Sequence, residues 1–84
     1  GTDNAELLDI KIYPNPTTDY LYLDIPDQAE LETVRIIDLT GKTVRQFGNV
    51  RRLPVAELPR GIYFAEMLFR SGHVQTYKII KETR

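Results

Sequence analysis

The sequence predicts an all-β fold, an immunoglobulin-like β-sandwich of about seven mostly antiparallel strands. Three observations carry that reading. Apolar residues recur with period two rather than 3.6. Turn signals built from Gly, Pro, Asn and Ser interrupt the chain at short, regular intervals. No segment offers the roughly 10 to 12 residues of helical period that a helix needs, and Gln28 to Glu32 has room for one helical turn at most.

Residues 1 to 8 open the chain as a polar linker, and residues 9 to 84 form one domain. The period-two pattern begins at Leu7 and stops at Pro14-Asn15-Pro16. Beyond the stop, Leu21, Leu23 and Ile25 alternate with Tyr20, Tyr22 and Asp24, which predicts a half-buried strand with the aliphatic residues inward. Thr33 to Leu39 is β-branched and ends at Thr40-Gly41, so Lys42 to Phe47 returns as a hairpin partner. Leu53 to Val55 is a short strand, and Pro54 assigns it to a sheet edge because proline cannot donate to the ladder. Gly61 to Phe69 is the longest strand; Ser71-Gly72 turns the chain, and His73 to Lys81 comes back along it.

Composition narrows function mainly by exclusion. With 84 residues and a net charge of −1, the chain has room for one domain and no electrostatic grip on nucleic acid or anionic lipid. It has no cysteine, hence no disulfide and no thiolate chemistry. No apolar run approaches the roughly 18 residues of a membrane span, and no signal peptide is present, so any export signal is expected in a longer parent. The single Ser71 and His73 sit together at a turn without an orienting carboxylate. Gly41-Lys42-Thr43 imitates the tail of a phosphate-binding loop, but the glycine required five positions earlier is Ile36. Asn15-Pro16-Thr17 is barred from glycosylation by its middle proline. Asp24 and Asp27 are too sparse for a calcium loop. No cofactor or metal site is expected, and the protein is not expected to be an enzyme.

The Pro14-Asn15-Pro16 corner stands out. Each proline locks its own φ and pushes Tyr13 or Asn15 toward extended geometry. The expected result is a stiff, non-pairing elbow that ends one strand and aims the next.

Several segments together resemble a known family, the C-terminal sorting domain of the type IX secretion system of gram-negative bacteria. Ile12-Tyr13-Pro14-Asn15-Pro16 looks like its opening motif, and Leu21 to Ile25 like its second strand. Val34 to Val44, with Gly41 and Lys42 following an apolar run, is similar to its strand-turn-strand core. Leu58-Pro59-Arg60-Gly61-Ile62-Tyr63 resembles its L-x-x-G-x-Y signature, and Lys78-Ile79-Ile80-Lys81 its closing strand. The ordered match spans residues 10 to 81.

The resemblance implies a sorting module attached to an N-terminal cargo. It implies that the cargo crosses the periplasm and leaves through an outer-membrane translocon. It also implies a sortase-like cysteine peptidase that in most members removes the domain and anchors the cargo at the cell surface. Within the matched motifs, Leu58 and Tyr63 are expected to fill the core and Gly61 to allow a close backbone approach. Asn15, Lys42, Lys78 and Lys81 are the residues the fold needs least and the best candidates for partner contact. The last strand, with Ile79-Ile80 bracketed by Lys78 and Lys81 as charged guards, is expected to be an exposed edge open to strand addition or homodimer contact. The rival reading is a carbohydrate-binding or fibronectin-like accessory module. It requires an exposed aromatic platform, for which Tyr20 and Tyr22 are the candidates, although packing within the sheets accounts more simply for the five tyrosines.

Overall fold

The computed structural model describes residues 8–83. Seven strands make up their regular structure: β1 (Lys11–Tyr13), β2 (Tyr20–Asp24), β3 (Leu31–Ile37), β4 (Thr43–Phe47), β5 (Arg52–Pro54), β6 (Gly61–Phe69) and β7 (Val74–Lys81). They form two antiparallel sheets, one of three strands in the order β1-β2-β5 and one of four in the order β4-β3-β6-β7. The predicted β-sandwich is therefore present. Most of the linker assigned to residues 1 to 8 lies outside the described residues. Leu8 is inside them, and its backbone is tied to the Gln75 side chain by two hydrogen bonds of 3.1 and 3.0 Å.

The period-two pattern sorts side chains as expected. Leu21, Leu23 and Ile25 from one sheet and Val34, Ile36, Ala65, Met67 and Ile79 from the other belong to a single buried cluster. Leu21 faces Leu53 across the β2–β5 pair, and both are fully buried. Pro54 lies on an edge strand, as its missing N–H demands.

The strand limits differ from expectation where side chains compete for the backbone. β3 begins two residues earlier than expected, at Leu31, and it ends two residues early because Asp38 organises the turn that follows. Its Oδ1 accepts from the Thr40 and Lys42 backbone N–H groups, and its carbonyl accepts from Gly41 N–H. Asp38 and Leu39 therefore belong to the turn rather than the strand. Upstream, the possible helical turn shrinks to one bend, closed by Ala29 N–H donating to the Pro26 carbonyl at 3.0 Å. Leu31 then starts β3 with its side chain buried.

The tyrosines divide in a way composition did not show. Tyr63 enters the core, but Tyr13, Tyr20 and Tyr22 remain 52%, 37% and 38% exposed on the outer face of the three-stranded sheet. Packing within the sheets accounts for these three only as neighbours of one another on that face.

Candidate functional site

The elbow pairs with the far sheet. After β1 leaves its place beside β2, the chain crosses the open side of the sandwich and lies along the outer edge of β7. The Tyr13–Pro14 and Asn15–Pro16 peptide bonds are both cis. The Asn15 side chain acts as a substitute for a strand: its Nδ2 donates to the Lys78 carbonyl at 2.8 Å, and its Oδ1 accepts from Ile80 N–H at 2.9 Å. Two residues on, the backbone itself takes over. Thr17 N–H donates to the Ile80 carbonyl at 2.9 Å, and the Thr17 carbonyl accepts from Glu82 N–H at 2.7 Å, making a parallel bridge between Thr17 and Lys81. Thr17 is itself buried, and its hydroxyl donates to the Tyr20 carbonyl at 2.5 Å. The expectation of a non-pairing elbow is corrected. One N-terminal segment closes both sheets, and residues 14 to 16 are the point where it changes sheet.

This also corrects the picture of β7 as an open edge. Its backbone polar groups from the Lys78 carbonyl to Glu82 N–H are already engaged by Asn15 and Thr17, so this half cannot take an added strand without displacing them. Ile79 is buried in the core, whereas Lys78 and Ile80 face outward. Lys81 is not a solvent-facing guard. It is only 2% exposed, and its Nζ donates to the Glu82 carbonyl at 2.9 Å. The physical reason is the strand period: position 81 shares the inward face with position 79.

Asn15 can be tested on its own. Asn15→Asp keeps the acceptor for Ile80 N–H but loses the donor, so the Lys78 carbonyl faces a carboxylate. A loss of about 1 kcal/mol in denaturant unfolding is expected. Asn15→Ala removes both contacts and is expected to speed amide exchange at Ile80.

The other matched motifs make contacts within the fold. Gly41 has φ of +90°, a conformation that strains any L-residue, which explains the glycine in the β3–β4 turn. Lys42 is exposed beside it. The Asp38 carboxyl is held below the usual aspartate range, chiefly by the Thr40 hydroxyl, then by Lys42 N–H. Because its folded value is depressed, the stabilisation is present above the unfolded value of about 3.9 and is lost as pH falls through the folded value. Replacement by Asn is expected to remove this part of the acid sensitivity, as followed by thermal melts between neutral and acidic pH.

In the L-x-x-G-x-Y stretch, Leu58 and Tyr63 are buried as expected. The Tyr63 hydroxyl donates to the Pro59 carbonyl at 2.6 Å, the tyrosine-corner contact of immunoglobulin-like sandwiches at the start of β6. Burial raises the Tyr63 pKa, with the Asp38 charge adding to it, so the hydroxyl keeps its proton. The expected close approach at Gly61 is absent. A Cβ there would meet nothing within 4 Å, and the glycine is required by its φ of +156° instead.

The opening and closing motifs are thus joined directly. Pro14, Asn15 and Pro16 lie exposed beside Lys78 and Ile80. On the other side of β7, Gly61 and Tyr63 are the cross-strand partners of Lys81 and Ile79, whereas Gly41 and Lys42 lie in the β3–β4 turn. A family model for the secretion system C-terminal sorting domain matches residues 11–82, a span that includes all seven strands. The chain belongs to this family. It is therefore a C-terminal sorting signal for type IX secretion, a domain class that sorts proteins and is not a catalytic family. Export to the cell surface or secretion follows from membership. No curated protein matches the chain.

Sequence reasoning missed Thr17 and Gln75. Thr17 had a readable signal: it sits two positions after Asn15, the spacing at which both address the same edge of a neighbouring strand. Gln75 was readable in part: His73 and Tyr77, whose side chains it bonds, lie two positions to either side, whereas the Leu8 backbone reaches it only through folding.

Proposed function

We propose that this domain is read in its folded form, at the composite surface where the elbow covers β7. Its partners would be the outer-membrane translocon and a sortase-like cysteine peptidase, acting on a cargo joined at its N-terminal side after transit through the periplasm. The observation that supports this reading is the bonding of Asn15 to Lys78 and Ile80. It places residues from the two ends of the domain on one exposed surface that exists only in the folded chain. A partner binding there would recognise completed folding as well as sequence. The surface is pre-organised by four hydrogen bonds, two from Asn15 and two from the Thr17 backbone, so little ordering cost remains for the complex.

The test is a reporter carrying a Sec signal peptide and this domain at its C-terminus, expressed in a bacterium with a working type IX system. Surface delivery or release that requires the domain is expected. Asn15→Ala should reduce delivery at a growth temperature where the isolated variant remains folded. Full delivery by that variant would separate recognition from the composite surface and leave Asn15 only a stabilising role.

A further inference from the structure

The outer face of the β1-β2-β5 sheet carries an aromatic row that neither the core nor the elbow requires. Tyr13 and Tyr22 are cross-strand partners, their rings stacked with centroids 5.7 Å apart and planes 24° from parallel. Tyr20 follows on the same strand, with its ring centroid 6.3 Å from that of Tyr22. The Arg52 guanidinium lies 4.8 Å from the Tyr20 ring centroid, and Arg52 is also the β5 partner of Tyr22. All three strands of the sheet therefore contribute to one exposed strip. Cross-strand stacking alone explains a pair of rings. It does not explain three adjacent tyrosines left open to water on one flat face, the kind of patch that marks a binding surface.

We propose that this strip binds an acidic, uronate-bearing polysaccharide. Tyr13 and Tyr22 partly cover each other and Arg52 covers one face of Tyr20, so it is the ring surface left open along the strip, with its negative quadrupole charge, that suits the weakly positive C–H faces of pyranose rings. The phenolic hydroxyls remain available to sugar hydroxyls. Charge selects among glycans. Lys11 and Asp24 oppose each other across β1 and β2 and balance. Arg52 is the remaining charge on the face and forms no salt bridge among the described residues. Its planar fork suits a sugar carboxylate, which it can engage while stacked on Tyr20. A second copy of the domain fits less well, because face-to-face stacking would bring the two uncompensated Arg52 charges into one contact. The strip adjoins the elbow at Tyr13, which precedes Pro14, but it lies on the sheet that does not contain β7, and the proposal does not rest on the sorting reading.

The chain has no tryptophan, so its tyrosine fluorescence is open to direct titration. The whole chain is titrated with hexagalacturonate, with neutral cellohexaose and with oligoglutamate, alongside backbone amide shifts. Saturable binding of hexagalacturonate is expected, with shifts centred on Tyr20, Tyr22 and Arg52. Affinity should fall at least about tenfold in Tyr22→Leu and in Arg52→Gln, equivalent to about 1.4 kcal/mol. Thermal melts check that both variants fold, and Tyr20→Leu replaces Tyr22→Leu if that variant does not. No binding of hexagalacturonate at millimolar concentration would overturn the proposal. Equal binding of cellohexaose would overturn the acidic specificity, and equal binding of oligoglutamate would reduce the strip to a charge contact.

Discussion

Leu21→Ala is expected to remove about 2–5 kcal/mol of folding free energy. Leu21 is fully buried at the centre of β2, facing Leu53, within the single core shared by both sheets. Truncation there loses transfer energy and leaves a cavity that the rigid strands on either side cannot close. Stability of a domain this small is of order 5–15 kcal/mol, so the loss should lower the melting midpoint by roughly 10 °C or more. The adjacent Tyr22→Ala is the control. Its ring lies on the outer face and is 38% exposed, so it should cost less than Leu21→Ala: the stacking contribution of about 0.5–1.5 kcal/mol plus the modest area it covers on the sheet, with no core cavity. The contrast tests the register, because a one-residue slip would exchange the two effects. Equal losses at positions 21 and 22 would show that the strand is not half-buried as described.

Local chemistry explains which parts of the structure are legible in the sequence. Strong alternation makes β2 and β6 readable, and Gly61 to Phe69 matches β6 at both ends. The proline in β5 makes its edge position readable. The limits of β3 are less so, because they depend on one Asp38 carboxylate accepting from two backbone N–H groups. Periodicity does not register such a contact. The elbow is legible as a stop but not as a change of sheet. Its pairing to β7 spans more than 60 residues and uses an asparagine side chain where a backbone would ordinarily serve. Nothing in the local sequence says which strand Asn15 will find. The aromatic strip is intermediate: Tyr20 and Tyr22 share a face by spacing, whereas Tyr13 and Arg52 join them only through register.

The two lysines of the closing motif should separate sharply. Positions 78 and 81 are an odd number apart, so a period-two strand puts them on opposite faces. The structure places Lys78 outside and Lys81 inside. Lys81→Glu is therefore expected to destabilise by about 3 kcal/mol or more, because it sets a carboxylate at a buried position against the Glu82 carbonyl that now accepts from the ammonium. Lys81→Met keeps the apolar stem and should cost less. Lys78→Glu is exposed and should change stability by about 0.5 kcal/mol or less. Reversing both charges together would thus confound unfolding with lost recognition. The single Lys78→Glu variant is the cleaner probe of sorting. On the composite-surface reading, its reporter folds normally but accumulates inside the outer membrane, since the new carboxylate lies next to the Asn15 contact with the Lys78 carbonyl. Normal delivery of that variant would remove Lys78 from the recognition surface. A wild-type melting curve for Lys81→Glu would show that its side chain reaches solvent, and with it that the strand's closing face is not sealed.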